Sequence, residues 1–251
     1  MSNNQENDNE KKGFTIIEVM LVLAISGLML IGVLGGTFDS IRVQRYNDSL
    51  NGFAESLRKV YNEVLNPRSN AGENGGASNQ AIYGQIVVFG LDGQGDKFYN
   101  ATLVGKVEPP EKEDKDFIRL LAQQDITINC DTITEHVMTW GSKVFRNTNQ
   151  QFIGTVVIAR SPLSGVVHTA VGTGLEFDIK TVGRCESNKA GERFTNQIKN
   201  NPGEFKTTSD VNFCINSDDA PVSRAVRLSA DGSNTSAVNI LNETDSLSVG
   251  C

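Results

Sequence analysis

Between Phe14 and Phe38 the chain runs for twenty-five residues with a single charge, Glu18. At 1.5 Å per residue a helix of that length spans a hydrocarbon core of about 30 Å, so this protein is membrane-inserted at some stage. A carboxylate inside an apolar helix costs roughly 3 kcal/mol on insertion scales, and a lone Glu there asks for a partner. A secretory signal fits poorly, because the run exceeds an apolar core of roughly 7 to 15 residues and no small-x-small cleavage site follows it. Lys11 and Lys12 stand directly before the run and place the amino terminus in the cytoplasm. A long downstream domain crosses the membrane largely regardless of its own charge, so the globular part is expected outside.

The stretch Lys12-Gly13-Phe14 followed by Glu18 resembles the amino terminus of the type IV prepilin family, which includes the pseudopilins of type II secretion. In that family the chain is cut after the glycine, the new amino terminus is methylated, and a glutamate stands at the fifth mature position. The resemblance implies that Gly13 ends a leader, that Phe14 becomes the methylated first residue, and that Glu18 serves assembly. It also implies a prepilin peptidase/methyltransferase and other pilin or pseudopilin subunits as partners. The leader differs in carrying Glu6, Asp8 and Glu10 beside Lys11 and Lys12. A plain single-pass anchor is the alternative reading of the same run.

Beyond Phe38 the helix is expected to continue. Val43, Tyr46, Leu50, Phe53, Leu57, Val60 and Val64 recur at alternating spacings of three and four, which is one apolar stripe on a helix. Arg42, Arg45, Asp48, Glu55, Arg58, Lys59 and Glu63 fill the solvated face, and Asn66-Pro67 ends it. One helix from Phe14 to Leu65, apolar all round in its first half and amphipathic in its second, matches what the resemblance implies. Gly27, Gly32, Gly35 and Gly36 interrupt the apolar half, and small residues in membrane helices permit close helix approach. In the resembled family a proline commonly stands at the position of Gly35.

The soluble remainder is polar and glycine-rich, suited to a loop-heavy β fold. Residues 66–80 read as a loop, and 82–91 with 98–107 as a strand pair joined by Asp92-Gly93-Gln94-Gly95-Asp96-Lys97. A calcium loop through Asp92 and Asp96 lacks the spaced acidic ligands and closing Glu that such a site needs, so a hairpin turn is preferred. Residues 108–115 form a charged connector. A short helix is expected from Asp116 to Ala122, then strands at 126–129, 154–159, 166–171, 175–182, 211–216, 222–229 and 237–241, with Asp231-Gly232 turning the last pair. The stretches Phe213–Asn216 and Arg224–Gly232 resemble the closing hairpin of the minor pseudopilin H and its minor pilin relatives. Some of those relatives bind DNA through arginines there, but Arg224 and Arg227 are three apart and face opposite sides of a strand. Both are expected to be ordinary solvated arginines.

Cys130, Cys185, Cys214 and Cys251 all follow the apolar run, and none forms a Cys-x-x-Cys pair, so zinc and thioredoxin chemistry are poorly supported. Exported cysteines in even number favour two disulfides over four buried thiols. Of the three possible connectivities Cys130–Cys185 with Cys214–Cys251 is favoured. A net charge of −7 disfavours nucleic acid as a partner. His136 and His168 lack a metalloprotease spacing, and Gly-x-Ser-x-Gly and Walker loops are absent. Ser56-Leu57-Arg58-Lys59 matches Ser-x-x-Lys without its companion motifs. An anchored hydrolase would need a pocket joining His136 or His168 to other titratable groups.

The expectation is therefore an α+β, pilin-like chain: leader 1–13, transmembrane half-helix 14–38, amphipathic half-helix 39–65 and a β-rich head 66–251. It has no catalytic residue, metal or cofactor. It is a single-pass protein of the cytoplasmic membrane that ends in a surface or periplasmic filament. A structural subunit, most simply a minor one, is the leading reading. A minor pilin whose head binds DNA, a surface or cargo is the alternative.

Overall fold

In a computed structural model the described residues are 13–66, 80–89, 95–106, 126–146, 154–161, 165–172, 205–207, 210–217, 223–229 and 235–251. The leader lysines, the loop after Asn66, Asp92, the connector 108–115, the helix expected at 116–122, the strand expected at 175–182, Cys185 and the Asp231-Gly232 turn lie outside them. The fold is α+β: one long helix, α1 (Ile16–Leu65), then antiparallel strands.

The contacts divide the chain into two units, residues 1–44 and 45–251. In the second unit Tyr46, Leu50, Phe53, Leu57, Val60 and Val64 are all buried, as the stripe requires. Val43, in the first unit, is exposed.

Two sheets accompany the helix in that unit. The larger has the order β3-β2-β1-β5-β6-β7, built from β1 (Gln80–Phe89), β2 (Lys97–Lys106), β3 (Ile126–Val137), β5 (Thr155–Arg160), β6 (Val167–Gly172) and β7 (Phe205–Thr207). The smaller has the order β10-β9-β8-β4, from β4 (Ser142–Phe145), β8 (Asp210–Ser217), β9 (Arg224–Ser229) and β10 (Val238–Ile240). A 3-10 turn (Thr235–Ala237) precedes β10, and a six-residue helix, α2 (Glu243–Ser248), follows it. Sequence reading missed the second half of β3 and all of β4, β7 and α2.

The core is the helix stripe packed against side chains of both sheets, among them Val87, Ile158, Val171, Phe213, Ile215 and Val226. Phe53 lies at its centre and meets Phe98 and Phe213 edge-on, both at 5.4 Å between ring centroids, the geometry the ring quadrupole favours. Gly84 marks a bulge in β1, and a Cβ there would fall 2.2 Å from the Ile158 carbonyl oxygen of β5. Only glycine lets these two strands approach so closely. The tight turn from β3 to β4 puts Trp140 at φ 57° and Gly141 at φ 68°, with the Arg45 guanidinium carbon 4.8 Å from the indole centroid.

A polar joint ties helix to small sheet. The Tyr46 hydroxyl donates to the Ile215 carbonyl at 2.8 Å and accepts from the Arg224 backbone N–H at 2.7 Å. Burial pushes the Tyr46 hydroxyl above its ordinary range, with Arg224 opposing, so it stays a donor. Tyr46→Phe keeps the ring and strands both partners. Urea unfolding of the full chain in micelles should show a loss of about 1–3 kcal/mol; an unchanged midpoint would mean that water replaces the hydroxyl.

Candidate functional site

The start of α1 is built from three residues. Thr15 is the residue before the first helical turn, and its backbone N–H and hydroxyl both donate to Glu18 Oε2 at 3.1 Å. In return the Glu18 N–H donates to Thr15 Oγ1 at 3.3 Å. This is a reciprocal capping box, in which a Thr and a Glu three residues on satisfy amide groups that the helix leaves open at its first turn. The Glu18 carboxylate also lies at the positive end of the helix dipole. Sequence reasoning singled out Glu18 as an awkward charge and passed over Thr15, although Thr-x-x-Glu ahead of an apolar run is a recognisable signature. Gly13 and Phe14 precede the helix and are exposed.

From Phe14 to Val43 every large apolar side chain is exposed. A Cβ added at Gly27, Gly32, Gly35 or Gly36 would meet nothing within 4 Å. Nothing within the described chain explains this apolar surface or requires these glycines. Lipid or another helix is what such a surface suits.

The remaining candidates lie in the second unit. Cys214 and Cys251 form a disulfide, the second of the two pairings favoured from the sequence. Cys130 in β3 is disulfide-bonded too. Arg224 and Arg227 are not simply solvated, and here the expectation is corrected. The Arg224 guanidinium donates to the Leu241 carbonyl at 3.1 and 3.2 Å and to Asn47 Oδ1 at 3.2 Å. Arg227 donates to Asn212 Oδ1 at 3.2 Å and lies 3.7 Å from Asp210. Intramolecular acceptors thus engage both arginines. Two strand neighbours on the outer face of the small sheet, Asn212 and Asp210, supplied partners that sequence spacing could not reveal.

His136 lines a cleft between the α1 segment 55–66 and strands β1 to β3, together with Glu55, Lys59 and Glu63. Its Nε2–H donates to Asn100 Oδ1 at 2.8 Å, and its ring stacks on Phe98 at 4.7 Å. Burial first, and the Lys59 cation second, hold its pKa below the ordinary value, so the imidazole is neutral near pH 7. Such a histidine presents hydrogen bonds rather than charge. His168 lies apart from it in β6, paired with Ala159. Among the described residues no three His, Cys, Asp or Glu side chains are grouped to hold a metal ion.

An α1 segment long and apolar enough to cross a membrane, with its own carboxylate at its amino end, and an antiparallel β head fit a membrane-anchored α+β chain. A family model, the prokaryotic N-terminal methylation motif, matches residues 8–34, so the chain carries the type IV prepilin-like signature there. No curated protein and no solved structure matches the chain. The motif implies processing by a prepilin peptidase and assembly with other pilin subunits in a membrane system, and it points to a structural subunit rather than an enzyme.

Proposed function

We propose that this chain is a minor subunit of a type IV pilus or type II secretion pseudopilus, stored in the cytoplasmic membrane with its head outside. It is cut between Gly13 and Phe14, methylated on Phe14, and drawn into or onto the tip of a filament by α1. The observation that carries this reading is an apolar, glycine-interrupted surface with no partner among the described residues, most of it within the span of the methylation motif. The large head and the cysteines favour a minor subunit over a major one. The proposed boundaries are those of leader, apolar half-helix, amphipathic half-helix and head: 1–13, 14–38, 39–65 and 66–251.

The mechanism is electrostatic. Once the leader is gone, the Phe14 ammonium of a neighbouring subunit pairs with the Glu18 carboxylate inside an apolar bundle, where either charge alone is costly. The capping box uses Thr15 and Glu18, both on the mature side of the cut, so it survives processing. Mass spectrometry of the protein isolated from its own cell is expected to find a chain beginning with methylated Phe14. An intact Met1 would return it to a plain anchor. The DNA-binding alternative draws no support from Arg224 and Arg227, whose guanidinium groups have intramolecular partners.

A further inference from the structure

The cleft beneath α1 has a volume of about 740 Å³, within the ordinary range of small-molecule sites. Eight of its fifteen lining residues carry a neutral hydroxyl or amide, and only Val60 and Ile82 are apolar. Its charges cancel: Glu55 and Glu63 against Arg58 and Lys59. Arg58 and Glu55 are also paired with each other at 2.6 Å.

At its floor lies Gln85, only 5% exposed. Its amide N–H group donates to Glu63 Oε2 at 3.1 Å and to Thr102 Oγ1 at 3.0 Å, but its Oε1 has no partner. A buried amide oxygen left without a donor is costly, so a donor brought by a ligand would be rewarded. The β2–β3 wall beside it is shaped by a bulge. Asn100 pairs with Thr134 and Thr102 with Asn129, so four residues of β3 stand against the single Ala101 of β2. Thr132 within this bulge accepts from the Thr102 N–H at 2.9 Å in place of the strand partner, and it lines the cleft. Bulges of this kind re-aim side chains beside functional sites. His136, neutral and donating through Nε2, has Nδ1 left as an acceptor.

From this lining we infer that the cleft is a binding site for a neutral, hydroxyl-rich ligand, a short saccharide. A sugar hydroxyl both donates and accepts, so it can supply the donor Gln85 Oε1 lacks once that side chain turns toward the cleft, while accepting from the surrounding amides. An apolar peptide side chain would find little to pack on, and a polyanion would find no net positive charge. The site does not depend on filament assembly.

The test is calorimetric titration of the full chain, in micelles of an amine-oxide detergent that carries no sugar, with maltotriose and with triacetylchitotriose. Saturable binding of at least one is expected, weakened about tenfold by Gln85→Met and about threefold by the exposed Thr134→Val. Thermal melting checks that each variant folds; if Gln85→Met does not, the Thr134 variant decides. No saturation by either sugar up to 20 mM, or binding that neither variant weakens, overturns the inference. So does tighter binding of tetraglycine or of a DNA 12-mer, which would assign the cleft to a peptide or to nucleic acid.

Discussion

A chain carrying Glu18→Ala is expected to enter the membrane as the native chain does and to be missing from filaments. Insertion improves slightly, because an apolar helix loses its one charge. Incorporation fails because the Phe14 ammonium of the neighbour is left unpaired in a low-dielectric bundle. Removing one member of a buried pair costs about 3–5 kcal/mol, more than a hundredfold in occupancy. Glu18 also caps its own helix through Thr15, so alanine removes two interactions at once. Two companion variants separate them. Glu18→Gln keeps an oxygen that can accept from Thr15 but carries no charge, and it is expected to fail as alanine does. Thr15→Ala keeps the carboxylate, loses a cap worth about 1 kcal/mol, and is expected to assemble. Membrane fractionation and immunoblotting of sheared filaments would measure both steps. Normal incorporation of Glu18→Gln would show that the cap matters and the charge does not, and would sink the ion-pair mechanism.

The helix was legible because its evidence is local. An uninterrupted apolar run and a stripe at spacings of three and four are properties of neighbours in sequence, and Tyr46 to Val64 are buried as that stripe requires. The small strands were not legible, for a physical reason. β4 has four residues and β7 three, too few for a period of two to show. The second half of β3, Asp131-Thr132-Ile133-Thr134-Glu135-His136-Val137, is an edge strand with none of its residues buried, so its hydrophobic pattern is faint. α2 depends on its Asn242 cap and on what it covers rather than on any periodicity of its own. The cleft was invisible for a different reason. Glu63, Gln85, Asn100, Thr132 and His136 come from four elements whose adjacency only the sheet order creates. His136 read alone is a strand residue, and Gln85 reads as a polar interruption between Gly84 and Ile86.

Opening the Cys214–Cys251 bond should have the largest effect on the stability of the head. The bond closes a stretch of 37 residues, and chain-entropy reasoning assigns such a loop about 4 kcal/mol. What it pins down cannot hold by itself. A six-residue helix is far below the length at which a helix is stable alone. α2 stays because Asn242 caps it, accepting from the Asp245 N–H at 2.8 Å, and because buried Ser246 accepts from the Ala225 N–H at 2.9 Å. Leu241, Val249 and Cys251 then cover Cys214 and Ala225 on the outer face of β8 and β9. With Cys251→Ser the end of the chain can peel away, exposing that small apolar cluster and freeing the Ala225 amide. Arg224 also reaches the Leu241 carbonyl, so the loss spreads toward the Tyr46 joint. Calorimetry of the full chain in micelles should show the melting temperature falling on the order of 10 °C. Hydrogen exchange should speed up first at Ala225 and over Leu241–Cys251, with the β1–β5 amides still protected. A variant is preferable to a reducing agent, because Cys130 is disulfide-bonded as well. An unchanged melting point with native exchange at Ala225 would show that packing, and not the bond, holds the carboxyl-terminal cover in place.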